Sequence, residues 1–325
     1  MIITRTPFRI SFAGGGSDLK EYYLEHGGSV VSTTIDKYIY LSMHPYFSNN
    51  KIFLKYSKNE LVERTQDIEH NIIRTLFTDY KITGVDFNSS ADVPAGTGLG
   101  SSSTFTVGCI TLCNAYCNTC MTRDKVAEYA CQVEIERLKE PIGKQDQYAA
   151  AYGGLNSIRF FQDDTVSVER IILDKTRRQR LENSLMMFFL GDTREARKIL
   201  AEQQQNIRLD GKKIDNLHKM VQLSETLRNA FCRGDIDVLG EILHAGWMYK
   251  KELSSGISNG RIDHYYELAR NNGARGGKLL GAGGCGFLLF SVPEDDRDRL
   301  RHALAELMEF PFQFENTGTT VIYYT

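Results

Sequence analysis

The 325-residue sequence predicts an α+β fold, and three observations carry that reading. The first ninety residues are rich in strand-forming runs. After Gly100 the pattern turns helical. Neither half alternates strand and helix strictly. The length suits two ordinary domains or one large one, and a change of pattern near residue 184 divides the chain into 1–183 and 184–325.

Taken in order, "IITRTPFRISFA" places paired apolar runs before Gly14, Gly15 and Gly16, and "GGSVVSTTIDKYIYLSMHPYF" concentrates Val, Ile, Thr and Tyr. "KIFLKYS" and "GVDFNSSADVP" add two short strands, with a more helical stretch over 60–80 between them. Residues 101–117 and 123–138 read as helices, the second capped by Thr122 with Asp124 in its first turn. A third helix over 144–151 ends at Gly153-Gly154. "SLMMFFLGDT" is a buried strand and a turn, followed over roughly 194–255 by a polar, proline-free stretch with helical spacing of Ile and Leu. "RIDHYYELARNN" is a helix closing at Gly273, "KLLGAGGCGFLLF" a strand–glycine loop–strand, and the tail a helix and then the strand "TTVIYYT".

Lys and Arg number 39 against 41 Asp and Glu, for a formal net charge of −2, which gives no electrostatic case for a nucleic-acid or acidic-membrane partner. No apolar run approaches the roughly 18–20 residues of a membrane span. The N-terminus enters a β-like pattern without a signal-peptide cleavage site, so a cytoplasmic protein is expected. The seven cysteines, an odd count, fit reduced thiols. Cys109, Cys113, Cys117 and Cys120 step along one helical face and read as small buried hydrophobes. The C-x-x-C they contain lacks the second pair a zinc site needs.

Residues 94–103, "PAGTGLGSSS", look built to hold phosphate, yet lack the Gly-Lys-Ser/Thr ending of the common phosphate loop. Pro94 follows a strand. Gly96, Gly98 and Gly100 permit positive φ and close backbone approach, and Ser101, Ser102 and Ser103 open a helix whose N–H groups and dipole suit an anion. The plainer alternative is a glycine turn with a serine cap. A loop without its own lysine calls for a cation, most simply Mg²⁺ on hard oxygen ligands. Ser102 is one candidate ligand, and either Glu134 or Glu136 the other, since residues two apart face different sides of a helix.

Gly281 to Gly286 formally matches G-x-G-x-x-G, but strand-like Phe287 to Phe290 follows where a dinucleotide fold needs a helix. That loop either lines a ligand or makes a tight hairpin. In "FAGGGSD", Asp18 either caps a helix in a box with Glu21 or meets a substrate hydroxyl. Asp146, in "GKQDQYAAAYGG", is either the proton acceptor of a phosphoryl transfer or an aspartate stabilising a helix N-terminus.

These segments, in this order, resemble the kinase superfamily named for galactose, homoserine, mevalonate and phosphomevalonate. Pro94 to Ser103 is similar to its P-x-x-x-G-L-G-S-S-S/A motif, "TPFRISFAGGGSD" to its N-terminal motif and "KLLGAGGCGFLLF" to its C-terminal one. Within the superfamily, "YYLEHGGSVVSTTIDKYIY", "GKQDQYAAAYGGLN" and "GDTREARKIL" resemble sugar-1-kinases that act on D-glycero-D-manno-heptose 7-phosphate. Ser103, where many members have alanine, and Cys285, where glycine is frequent, are small departures.

The resemblance implies an N-terminal domain like ribosomal protein S5 domain 2 and a ferredoxin-like C-terminal domain. It implies ATP and Mg²⁺ as cofactors, with the nucleotide phosphates on Pro94, Gly96, Gly98, Leu99, Gly100 and Ser101 to Ser103, and the metal on Ser102 and Glu134. Asp146 would stand near the acceptor hydroxyl with Arg9 beside it, opposite charge favouring its ionised form. Gly15, Gly16, Ser17, Asp18, Gly281, Gly283 and Gly284 would surround the substrate. Arg194 and Arg197 are candidates for the sugar's own phosphate, which arginine grips bidentately, against the alternative of a solvated helix face. The expected partners are ATP and a sugar phosphate, with no nucleic acid, no membrane and a homodimer as candidate assembly. The expected product feeds nucleotide-activated heptose for surface polysaccharide. Two alternatives stay open: a kinase for an unphosphorylated sugar of the fucose or galactose type, and a catalytically silent nucleotide and sugar sensor.

Overall fold

In the computed structural model the described residues are 1–48, 50–191, 197–209 and 211–325, with the side chains of 197, 198 and 207–209 outside the description. Arg194 therefore lies outside the described residues, and Arg197 is placed by its backbone alone.

The chain opens with the long strand β1 (Ile2–Ala13), the short helix α1 (Lys20–His26) and the longer strand β2 (Gly28–Pro45). Short strands β3 (Ile52–Lys55) and β4 (Asn59–Val62), helix α2 (Asn71–Asp79) and strand β5 (Val85–Ala91) follow. Three helices come next: α3 (Ser101–Tyr116), α4 (Arg123–Cys131) and α5 (Gln145–Tyr152). Thr122 caps α4 by accepting from Lys125 N. Residues Gln132–Arg137 continue α4 as a π-helix where a plain helix to 138 is expected, with Leu138 N donating to Val133 O. Strands β6 (Asn156–Phe160) and β7 (Val166–Arg170) form a hairpin, and α6 (Lys175–Asn183) closes this half.

The second half begins with β8 (Leu185–Phe189) and three helices, α7 (Arg197–Leu209), α8 (Gly211–Cys232) and α9 (Leu239–Lys251). Then come α10 (Gly260–Asn271), β9 (Gly276–Leu279), β10 (Phe287–Ser291), α11 (Arg297–Ala303), β11 (Met308–Glu309), β12 (Phe314–Glu315) and β13 (Thr320–Tyr324).

Two sheets result. The larger runs β13-β1-β2-β5-β3-β4, with β12 and the β6–β7 hairpin also joined to it through β2. Its pairs are antiparallel except β3 with β5. The smaller runs β11-β8-β10-β9. It starts just past residue 184, whereas β12 and β13 return to the first sheet, Phe314 opposite Ile35 and Ile2 opposite Tyr324.

Helices α3, α5 and α8 pack on β1 and β2, so these strands read as nearly continuous buried runs instead of a clean alternation. The β1–β2 register shifts between Pro7 and Arg9 and again between Ser11 and Ala13. Such irregularities re-aim the side chains that follow them, and Arg9 stands directly after the first. The second sheet builds its own core with α7 to α11 around the fully buried Trp247 and Tyr266. Phe12 of β1 meets Phe231 of α8 edge-on at 6.4 Å, joining the layers. Among the described residues no helix is long and apolar enough to cross a membrane.

Candidate active site

A cleft of about 900 Å³ runs where the two glycine-rich loops face the end of β1. Clefts between layers are where small molecules usually bind.

One wall is the stretch 94–103. Gly100, at φ +80°, is the N-cap of α3 without a side-chain cap. The first intrahelical bond runs from Thr104 N to Gly100 O. The N–H groups of the first turn are thus free of intrahelical acceptors and sit at the positive end of a 16-residue helix. Gly98 and Gly281 are pressed together: a Cβ on Gly98 would lie 2.5 Å from Leu280 O, and one on Gly281 would lie 2.4 Å from Gly98 Cα. Both have positive φ, so neither tolerates a side chain. The C-terminal glycine loop is therefore part of this wall, and β10 follows it at Phe287 as the sequence predicts.

Strand β1 ties the loop down. Arg9 N donates to Leu99 O (3.2 Å), and its Nη1 to Gly98 O (2.7 Å). The Nε–Nη2 edge of the guanidinium grips Asp146 as a fork, Nε to Oδ1 at 2.7 Å and Nη2 to Oδ2 at 2.8 Å. Bidentate geometry is the strong form of this pair. Arg9 is buried, whereas the Asp146 side chain keeps 23% exposure towards the cleft. Each oxygen spends one lone pair on Arg9, which leaves acceptor capacity facing the cleft.

Glu134 has a different setting. It is fully buried behind the loop, while Glu136 is exposed, so only one of the two glutamates faces inward. Ser102 Oγ donates to its Oε1 at 2.6 Å and Gln147 Nε2 to its Oε2 at 2.8 Å. Burial pushes its carboxyl up from 4.5 to about 7, against the pull of these donors. The π-helical turn at 132–137 carries it, a backbone form that recurs at functional sites.

Asp18 is buried and does not cap its own helix, whose N-cap is Leu19 with no side-chain bond. It accepts instead from Gly16 N (2.9 Å), Gln145 N (3.2 Å) and Gln145 Nε2 (3.0 Å). It thus clamps the N-terminus of α5, the helix that holds Asp146. Burial and the negative Asp146 raise its pKa. Gly15, Gly16, Gly281 and Gly283 line the cleft with Asp18. Ser17 turns away, donating to Gly14 O (2.8 Å) inside the glycine turn, and Gly284 N is spent on Ile257 O (3.0 Å).

Two further lysines line the cleft without any sequence motif to mark them, Lys250 at the end of α9 and Lys278 in β9, both buried. Cys109 and Cys113 of α3 are buried in the hydrophobic core, where burial raises the Cys113 thiol, whereas Cys117 is half-buried and Cys120, past the end of α3, is exposed instead of buried as expected. Among the described residues, no cluster of His, Cys, Asp and Glu forms a metal-binding group.

Anion donors on one wall and a carboxylate with free lone pairs on the other suit phosphoryl transfer to a hydroxyl. The fold and cleft define a small-molecule phosphotransferase. The family models for the GHMP kinases N terminal domain and the GHMP kinases C terminal match residues 70–154 and 227–309. With the full-length relatives that follow, they establish that the chain belongs to the GHMP kinases.

The chain is 32% identical to a D-glycero-alpha-D-manno-heptose 7-phosphate kinase from Campylobacter jejuni, covering 97% of this chain and 96% of the relative. A galactokinase from Pyrococcus furiosus is 26% identical, covering 93% and 92%. A solved D-glycero-D-manno-heptose 1-phosphate kinase from Bacteroides thetaiotaomicron superposes with a TM-score of 0.83 at 25% identity, over 100% of both chains.

Proposed function

We propose that this chain transfers the γ-phosphoryl group of ATP to the anomeric hydroxyl of D-glycero-D-manno-heptose 7-phosphate, giving the 1,7-bisphosphate. The observation that carries the reading is the Arg9–Asp146 fork set against the Gly98–Gly100 turn. Asp146 touches the acceptor hydroxyl and takes its proton as the new O–P bond forms. An anomeric hydroxyl is more acidic than an ordinary alcohol, so a carboxylate suffices as base. The free N–H groups at Ser101 to Ser103 hold the donor phosphates, and their fixed dipoles stabilise charge as it shifts to the leaving oxygen. The apolar end of the cleft, at Tyr56, Ile72 and Phe105, suits a flat base.

The full-length likeness to a heptose 7-phosphate kinase supports the choice of sugar. A phosphate at position 7 leaves the anomeric hydroxyl free, as this transfer requires. Arg194 and Arg197 are the proposed partners of that phosphate. They fall just before and within α7, whose Leu200 and Gln203 line the cleft. The product is proposed to feed nucleotide-activated heptose for surface polysaccharide.

Ser102 Oγ and the Glu134 carboxylate are hard oxygen donors, and a buried carboxylate held only by neutral groups fits a divalent cation. They would hold Mg²⁺, which when bound would neutralise charge on the phosphates. Asp146 and Arg9 act without contact to it in this scheme.

ADP release from ATP across a panel of sugars and sugar 7-phosphates tests the reading. Turnover that depends on the 7-phosphate is expected. Equal or better turnover of galactose or fucose would move the chain to the unphosphorylated-sugar kinases, and silence with every sugar would leave a nucleotide sensor.

A further inference from the structure

Burial, hydrogen bonding and position single out Lys250. The last turn of α9 carries it into the cleft at the crossing of the two glycine loops, where its Nζ donates to Gly281 O. Gly281 is the residue pressed against Gly98 of the phosphate-facing turn. Charged groups from four parts of the fold act on this ammonium. Arg9 comes from β1, Asp18 from the turn before α1, Asp146 from α5 and Lys278 from β9.

A buried ammonium held by one neutral carbonyl is poorly compensated for the loss of water. Arg9 already commits its fork to Asp146 and an Nη1 bond to Gly98 O, and its charge is paired with Asp146. Lys278 is turned to Phe12 O (3.2 Å) and is held well below the usual lysine range by burial, Lys250 and Arg9. Lys250 has three N–H bonds, of which one goes to Gly281 O, so two remain for a ligand. Burial and the positive Arg9 lower its pKa to about 8, opposed by Asp18 and Asp146, and the ammonium form still prevails at neutral pH.

We propose that Lys250 is a catalytic residue that contacts the γ-phosphoryl group of the nucleotide and follows it through transfer. This rests on the kinase reading given above. In the step, the acceptor oxygen bonds to phosphorus while the bond from phosphorus to the β,γ-bridging oxygen breaks. The electron pair of that bond stays on ADP, and the acceptor's proton passes to Asp146. Lys250 donates to a non-bridging oxygen of the moving group, between the Gly98 turn and Asp146.

The first test needs no sugar. Binding of ATP and of ADP is measured by calorimetry for the wild-type protein, Lys250→Met and Lys250→Arg. Lys250→Met should lose about tenfold in ATP affinity with ADP affinity nearly unchanged, because only ATP carries the contacted group. An unchanged ATP-to-ADP ratio in Lys250→Met overturns the assignment. Should that variant fail to fold, pH decides. Wild-type preference for ATP should fall as pH rises past about 8, and Lys250→Arg, which stays charged, should keep it. The same alkaline decline in Lys250→Arg would also overturn it. With any sugar that supports wild-type turnover, Lys250→Met should lower kcat by about 100-fold or more. A wild-type protein that releases no ADP with any sugar refutes the kinase reading, and the ATP-to-ADP ratio still judges Lys250.

Discussion

Asp146, on the wall of the cleft, and Glu134, buried behind the phosphate-facing loop, are carboxylates with opposite surroundings. Asp146 is forked by a buried guanidinium and keeps an exposed edge. Glu134 is wholly buried and receives hydrogen bonds from serine hydroxyls and the Gln147 amide, all neutral donors. The fork fixes Asp146 in place and satisfies its charge within the protein. The neutral donors orient Glu134 but leave its charge uncompensated, and its pKa rises to about 7. A group that must take a proton from a positioned hydroxyl needs the first arrangement. A group that must accept a cation with its ligand needs the second.

The largest effect should come from removing the charge of Asp146. Asp146→Asn keeps the shape but leaves the buried Arg9 without its counter-ion and, in the proposed reaction, the acceptor without a base. We expect kcat to fall by about 10³-fold or more, by analogy with other charge-removing changes at proton-transfer sites, while ATP binding measured by calorimetry stays within a few-fold. Near-normal turnover would take Asp146 out of the reaction. Glu134→Gln should cost less, roughly 100-fold in kcat at low Mg²⁺, with partial recovery as Mg²⁺ is raised in the steady-state assay. Recovery in Asp146→Asn as well would erase the contrast between the two residues.

Much of this site was legible in the sequence, and what escaped has physical reasons. The glycine-serine turn and its helix were readable because positive φ and a helix start leave local marks, as at Gly100 and Ser101. Spacing alone left Glu134 and Glu136 open and the family resemblance pointed to Glu134, which sits buried in a π-helical turn while Glu136 is exposed. Asp18 stood open between a cap on its own helix and a substrate contact, and local sequence could not show that it clamps the start of α5, a contact 127 residues away in the chain. The β6–β7 hairpin closes through Asp164 at φ +68°, without the glycine that usually marks such a turn. Lys250 sits beside Lys251 in a stretch whose polar character gives it no mark of a site residue. Yet it continues the buried stripe of Leu239, Leu243 and Trp247, and that spacing was the missed signal. The return of β12 and β13 to the first sheet rests on long-range pairing that no local pattern encodes.

The contrast also carries a pH signature in the metal-free protein. The folded state raises the Glu134 pKa from 4.5 to about 7. Folding then favours the protonated form, so this contribution is fully present below 4.5 and is lost as pH rises through about 7. Its size is on the order of 3 kcal/mol. Glu134→Gln lacks the titration. The stability of the wild type relative to that variant, from urea unfolding, should therefore decline from pH 5 to pH 8, and added Mg²⁺ should reverse the decline. A difference independent of pH would mean that Glu134 stays charged or neutral throughout.

Ser102→Ala is the smallest of these effects and the most discriminating. The change removes the 2.6 Å donor to Glu134 Oε1 but keeps the backbone N–H at the start of α3, and Gln147 still holds Oε2. Alanine also favours the helix interior, so the fold should survive. If Ser102 and Glu134 share a cation, the variant should need more Mg²⁺ for half-maximal activity and lose about tenfold in kcat, an effect near 1.4 kcal/mol. Asp146→Asn, by contrast, should leave the Mg²⁺ requirement of its residual activity where it was. A Ser102→Ala variant with wild-type Mg²⁺ dependence would make the serine only a hydrogen-bond donor that orients Glu134. The two carboxylates would then differ in burial but not in what they bind.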